Sequence, residues 1–118
     1  FHSMLNPGAS VMCLTYHGSV KVAPHYNVMG VAKAALESST RYLAYDLGPE
    51  KIRVNALVPG PFPAKAPAVF AQRLASRTML GRLGQADEIA GPLLFLASPA
   101  SSFVTGSALN VDGGWTAW

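Results

Sequence analysis

The stretch Pro24-His25-Tyr26-Asn27-Val28-Met29-Gly30-Val31-Ala32-Lys33-Ala34-Ala35-Leu36 decides how the rest of the chain is read. It reads as the opening of a long helix that carries a tyrosine and a lysine seven positions apart. Seven helical steps bring two side chains back to within about 20° of one face, separated by roughly 10.5 Å of rise. Helical side chains lean toward the N-terminus, so the Lys33 stem points back toward Tyr26. A polar ligand spanning the gap meets both groups, and the ammonium favours negative charge developing there. A tyrosine at a helix start also stands at the positive end of the dipole. Tyrosine and lysine on one helix are common by themselves, so the weight falls on the residues around them.

Working outward, the apolar positions Val28, Val31, Ala32, Ala35 and Leu36 recur at helical spacing from His25 to about Leu47. Tyr42, Leu43 and Leu47 follow, and Gly48-Pro49 ends the helix. Small residues such as Gly30, Ala34 and Ser38 allow close approach of a neighbouring element. Upstream, Ser10 to Tyr16 is a short apolar run suited to a buried parallel strand. Tyr16 lies at its C-terminal end, where open α/β sheets place their ligands. On the residues alone, Tyr16 is equally an aromatic that closes the strand end. Downstream, Arg53 to Val58 reads as a second strand running into Pro59-Gly60-Pro61-Phe62-Pro63, and Ser107 to Val111 as a third. Strands separated by helices predict an α/β fold with a doubly wound parallel sheet.

The remaining segments are simpler. Pro67 to Arg77 predicts a short helix with Val69, Phe70 and Leu74 on its apolar side, placed as a lid. Gly81 to Gly84 is a turn, and Ala86-Asp87-Glu88 opens a helix whose two acids complement the dipole. Pro92 lies inside that helix or kinks it, and Ser98 to Thr105 is loop. Asp112-Gly113-Gly114 is a tight turn in which Asp112 is structural, with Trp115 and Trp118 packing at the tail or at a subunit contact.

Composition narrows the function classes. The 118 residues are 50% hydrophobic and 13% charged, which excludes disorder and suits a heavily buried architecture. The net charge of +3 is scattered rather than clustered, which argues against a nucleic-acid partner. Cys13 is the single cysteine, so no internal disulfide or thiolate metal site is expected, and it reads as a small core residue. His17 and His25 are polar loop residues without a third ligand at metal spacing, so no metal is expected. No apolar run approaches the roughly 20 residues that span a bilayer, and no basic-then-apolar leader is present, so a soluble cytoplasmic protein without membrane contact is expected.

The run from Pro24 to Lys33, with Tyr16 before it and Arg41-Tyr42-Leu43-Ala44 and Ile52-Arg53-Val54-Asn55-Ala56 after it, resembles the bacterial enoyl-[acyl-carrier-protein] reductases. These are short-chain dehydrogenase/reductases, and the resemblance is specific from about Asn6 to Ala56. The large branch of that superfamily places tyrosine and lysine four apart, where this chain has Gly30; the seven-residue step is the enoyl reductase arrangement. No glycine-rich dinucleotide turn precedes Tyr26. The resemblance therefore implies that residues 1–118 are the C-terminal part of a single NAD(P)-binding Rossmann-like domain whose N-terminal half lies outside them.

It implies Tyr26, Lys33 and Tyr16 as catalytic residues, and Lys33, Gly60, Pro61 and Phe62 as cofactor contacts. It further implies a substrate pocket at Tyr16, Tyr26 and Met29, NADH as cofactor with NADPH possible, and an acyl-carrier-protein thioester as substrate. The expected reaction is reduction of a trans-2-enoyl double bond in fatty acid biosynthesis, by a homo-oligomer (a tetramer in the family) with the long helix at a subunit interface. One departure stands out: the family usually has a threonine soon after the Pro59–Pro61 turn, and Pro63-Ala64 offers no hydroxyl. From Pro61 onward the chain is more similar to the ketone- and alcohol-handling branch. Two alternatives follow, a superfamily member acting on a ketone or secondary alcohol, and an inactive packing or oligomerisation fragment.

Overall fold

The computed structural model describes residues 2–62 and 67–118. Three strands form one parallel sheet: β1 (Ser10–Leu14), β2 (Arg53–Pro59) and β3 (Ala108–Val111), in the order β1-β2-β3. Helix α1 (Val28–Leu47) connects β1 to β2, and α2 (Ala68–Ala75) and α3 (Ala90–Ala97) lie between β2 and β3. The parallel α/β architecture is as expected, with short 3-10 turns at His17–Ser19, Gly48–Glu50, Ala86–Ile89 and Pro99–Ser101.

The two long faces of the sheet are covered by different helices. Side chains alternate across a strand. Cys13 meets Thr40 of α1 (Sγ to Oγ1, 3.2 Å), whereas the Ser10 hydroxyl donates to the Leu96 carbonyl of α3 (2.7 Å). Positions 10 and 13 face opposite ways, so α1 and α3 lie on opposite faces. Strand β2 is the centre of the core: Val54, Ala56, Leu57 and Val58 are buried, with Ile52 just before the strand and Leu96 from α3. Asn55 is 0% exposed in this core. Its amide is satisfied on both sides, donating to the Val104 carbonyl (2.8 Å) and accepting from the Ser107 N–H (3.1 Å). That pair of bonds holds the β3 approach against β2, as a buried polar group requires.

Two expectations need correction. The first strand stops at Leu14, and its residues are half-buried to exposed, with β2 its neighbour among the described residues. The long helix starts at Val28 rather than His25: His25 and Asn27 have φ of 65° and 42°, which a right-handed helix does not contain. Tyr26 therefore precedes the helix, in a turn closed by Met29 N–H to Tyr26 O and Gly30 N–H to Asn27 O, each 3.0 Å. Helix α1 buries Glu37, Thr40 and Ala44 against the sheet, while Val28, Val31, Tyr42 and Tyr45 are exposed.

The Gly48-Pro49 stop is correct, and the left-handed residue of the exit is Lys51 (φ 63°). Pro92 sits in the first turn of α3, where its missing N–H is tolerated. The segment Ser98–Thr105 contains the 3-10 turn Pro99–Ser101, capped by the Ser98 hydroxyl. The expected threonine-for-Pro63-Ala64 departure lies outside the described residues.

Candidate active site

The C-terminal ends of the strands gather the predicted residues, beginning with the segment that leaves β1. Thr15 extends the ladder by donating its N–H to Leu57 O (2.9 Å), and Tyr16 follows in extended backbone before the His17–Ser19 turn. The rings of Tyr16 and Tyr26 pack with centroids 5.0 Å apart, tilted at 58°. Gly18 makes this approach possible. A Cβ there would stand 2.7 Å from the Tyr26 ring and 3.2 Å from the Tyr16 ring. Gly30 packs in turn on Gly18, and a Cβ on Gly30 would stand 2.9 Å from the Gly18 carbonyl oxygen. Any side chain at position 30, a lysine included, collides with backbone. The two glycines are interlocked behind the tyrosine pair.

Lys33 reaches the same strand end, its Nζ donating to the Leu14 carbonyl at 3.0 Å. An ammonium has three donors, and among the described residues Leu14 takes one of them. One helical turn farther, the buried Glu37 accepts from the Thr15 hydroxyl (2.8 Å) and the Ser19 hydroxyl (2.6 Å) through one oxygen. Sequence reading passed over Glu37, although a four-residue step from Lys33 put it on the same face.

Tyr16 opens onto a cleft of about 420 Å³, lined also by Phe70, Leu74, Arg77, Trp115 and Trp118. Phe70 and Leu74 of α2 thus border the Tyr16 cleft. The tryptophans, expected to pack at the tail or at a subunit contact, both line this cleft. Arg77 lies over the Trp115 ring (5.9 Å to its centroid), and the Trp118 indole donates to the Arg77 carbonyl (3.2 Å). Burial pushes the Tyr16 phenol above its ordinary value, the Tyr26 neighbour adds to this, and the Arg77 guanidinium opposes it. Tyr16 is therefore neutral and a hydrogen-bond donor at neutral pH.

The turn leaving β2 forms a second groove of about 330 Å³, lined by Pro61, Phe62, Leu80, Asn110 and Asp112. Gly60 permits a close backbone crossing, since a Cβ would stand 2.5 Å from Asp112 Cα. The Phe62 ring lies on Gly84, where a Cβ would come within 2.5 Å of it, and Gly84 N–H donates to Pro61 O at 3.0 Å. The structure thus brings Tyr16, Tyr26 and Lys33 to the β1 end, and Gly60, Pro61 and Phe62 to the β2 end. Met29 does not join them. It is half exposed and lines neither the Tyr16 cleft nor the groove around Tyr26, because Tyr26 stands in the turn before the helix that carries Met29.

Two further features are structural. The Asp112 carboxylate accepts from the N–H groups of Gly114 (2.9 Å) and Thr116 (3.0 Å), with Gly113 and Gly114 at φ of 62° and 83°. Glu88 takes a bidentate pair from Arg82 (both 2.7 Å) and the Gln85 N–H (2.7 Å), which lowers its carboxyl to about 2. Among the described residues no group of three His, Cys, Asp or Glu side chains is placed to hold a metal, and no helix is long and apolar enough to cross a membrane.

Comparison with known proteins follows this geometry. The sequence profile described as Enoyl-(Acyl carrier protein) reductase matches residues 1–116. The enoyl-[acyl-carrier-protein] reductase [NADH] 1 of Rhizobium meliloti (strain 1021) is 45% identical over 118 residues, covering 95% of this chain and 43% of that protein. A short chain dehydrogenase family protein from Francisella tularensis superposes with a TM-score of 0.93 at 27% identity, over 99% of this chain and 55% of the other. The enoyl-(acyl-carrier-protein) reductase of Anaplasma phagocytophilum, solved in complex with NAD, gives 0.86 at 39% identity, over 98% and 44%. The chain spans about half the length of the curated relatives it matches. With the tyrosine–lysine step of seven, the interlocked Gly18 and Gly30, and a profile match over nearly its whole length, the chain belongs to the enoyl-(acyl carrier protein) reductase family of short-chain dehydrogenases.

Proposed function

We propose that the protein carrying this chain reduces the trans-2 double bond of an enoyl thioester on acyl carrier protein, using NADH. The observation that carries this reading is Gly30 against the Gly18 carbonyl, which closes the position four after Tyr26 to any lysine and leaves Lys33 as the partner. The names of the curated relatives support the substrate and cofactor. The residues present fit a nicotinamide nucleotide: Lys33 brings its ammonium to the C-terminal end of β1, and the neighbouring strand β2 runs out there into the Pro59–Phe62 turn.

When bound, the reduced nicotinamide supplies hydride for the thioester β-carbon. The chain's residues deal with the charge that then builds on the thioester oxygen as an enolate. Tyr26 donates a hydrogen bond to that oxygen, and stabilisation of this kind is commonly the largest catalytic term. Lys33 binds ribose hydroxyls and keeps the local potential positive. Tyr16, neutral by its burial, lines the acyl pocket and assists protonation. The backbone at Gly60, Pro61 and Phe62 meets the carboxamide end of the cofactor.

NADH is preferred to NADPH on the relatives' names alone. The exposed stripe of Val28, Val31, Tyr42 and Tyr45 supports assembly into a homo-oligomer, a tetramer by family resemblance. We read the 118 residues as part of one Rossmann-like domain that needs its nucleotide-binding half for turnover. The test is a spectrophotometric comparison of trans-2-enoyl and 3-oxoacyl thioesters with the full protein. Turnover of the enoyl substrate supports the reading, and turnover of the ketone alone replaces it with the carbonyl-reducing branch.

A further inference from the structure

We propose that Glu37 is the positioning residue of the tyrosine pair, fixing where Tyr16 stands against Tyr26 by pinning the chain on both sides of Tyr16-His17-Gly18. The proposal rests on the reading above that these tyrosines serve the reaction.

Glu37 is 9% exposed, on the face of α1 that lies against the sheet. One carboxylate oxygen accepts from the Thr15 hydroxyl at 2.8 Å and the Ser19 hydroxyl at 2.6 Å. Thr15 immediately precedes the three-residue segment and Ser19 immediately follows it. Hydrogen bonds to a charged acceptor are about twice as strong as neutral ones, so both ends of the segment are tied firmly to one atom. The neighbouring ties run along the same helix face. Lys33 donates to Leu14 O (3.0 Å), and Thr40 meets Cys13 Sγ (3.2 Å). Helix α1 therefore stitches the chain from Cys13 to Ser19, and among the described residues Glu37 is the side chain that spans the segment carrying the ring.

The segment has no slack to absorb a shift. Gly18 stands so close to both rings that a single added carbon would come within 2.7 Å of Tyr26 and 3.2 Å of Tyr16. Releasing Thr15 and Ser19 moves Gly18, and moving Gly18 moves both rings. Positional errors of about 1 Å at reacting groups cost on the order of a hundredfold in rate.

The experiment measures kcat and KM for the full protein carrying Glu37→Ala, Glu37→Gln, Ser19→Ala or Glu37→Ala with Ser19→Ala, with the NADH dissociation constant and the unfolding midpoint of each. The carboxamide oxygen of glutamine still accepts both hydroxyls. We expect Glu37→Ala to lower kcat about tenfold or more, with NADH affinity within about twofold of the wild type. We expect Glu37→Gln to recover kcat to within about threefold, and Ser19→Ala to fall between them. If the alanine variant does not fold, Ser19→Ala against Glu37→Gln carries the same comparison.

A purely structural role predicts that kcat, NADH affinity and the unfolding midpoint fall together, and that result overturns the proposal. So does a Glu37→Ala kcat within about twofold of the wild type, or a Glu37→Gln loss as large as the alanine loss. The wild type is first assayed on both thioesters. Turnover of the ketone alone sinks the functional reading, and the Glu37 comparison is then made on that substrate.

Discussion

Two carboxylates hold loops at the C-terminal ends of parallel strands, and they do it differently. Asp112, just after β3, folds back on its own chain and accepts from N–H groups two and four residues on. Glu37 sits on α1 and reaches across to hydroxyls 22 and 18 residues before it. The first device is local: an aspartate before two glycines forms the same turn wherever it occurs. The second exists only once helix and strand have docked. The local clamp serves the shape of the fold, whereas the remote clamp transmits the docking of α1 to the segment that carries Tyr16.

That contrast is most sharply broken at Gly18. Gly18→Ala places a carbon 2.7 Å from the Tyr26 ring, so the pair must part. Steady-state kinetics on the full protein should show kcat/KM lower by about a hundredfold. A loss under about threefold would mean that the ring pair tolerates movement and that its tight seat is incidental.

Asp112→Ala tests the local clamp. It removes the acceptor of two backbone N–H groups in a half-buried turn, and should destabilise the folded protein by about 1–3 kcal/mol in denaturant unfolding. Its kcat/KM should fall less than that of Gly18→Ala. The reverse order would show that the β3 turn, not the Tyr16 segment, is the sensitive one.

The smallest effect concerns a third carboxylate, exposed and local. Glu88 is lowered from the ordinary 4.5 to about 2, chiefly by the Arg82 hydrogen bonds and then by the Gln85 N–H. A folded-state pKa below the unfolded one stabilises the fold above the unfolded value. That contribution is present above pH 4.5 and is lost as the pH falls toward about 2. Because the pair is in solvent, salt screens it and the effect is small. Glu88→Gln should flatten this part of the acid unfolding profile, and an unchanged profile would show that the pair is unformed in solution.

The same division explains what was legible in the amino-acid order. The parallel strands, the Gly48-Pro49 stop, the Asp112 turn and the acids at the Ala86 helix start were readable, because each depends on residues within a few positions. The tyrosine–lysine step was readable as a pattern, and the docked glycines supply its physical reason. The start of α1 was misread although a signal was there, since Asn27 is a residue type that favours N-caps and tolerates a positive φ. The inward contacts of α1 were not readable, because Glu37 and Thr40 meet Thr15, Ser19 and Cys13, which stand 18 to 27 residues away in the chain. That Trp115 and Trp118 line the Tyr16 cleft was not readable either, because their packing runs through Arg77, about forty residues away in the chain. Met29 shows the converse, a residue near Tyr26 in sequence that the turn before α1 leaves outside the cleft.

The most direct test of the central claim is the position of transferred label. The full protein is given a trans-2-enoyl thioester and a nicotinamide deuterated at its transferring position, and the product is analysed by mass spectrometry. The account predicts a saturated acyl thioester with deuterium on its β-carbon. Recovery of the enoyl thioester unlabelled, with deuterium appearing only on the carbinol carbon when a 3-oxoacyl thioester is supplied, would contradict it.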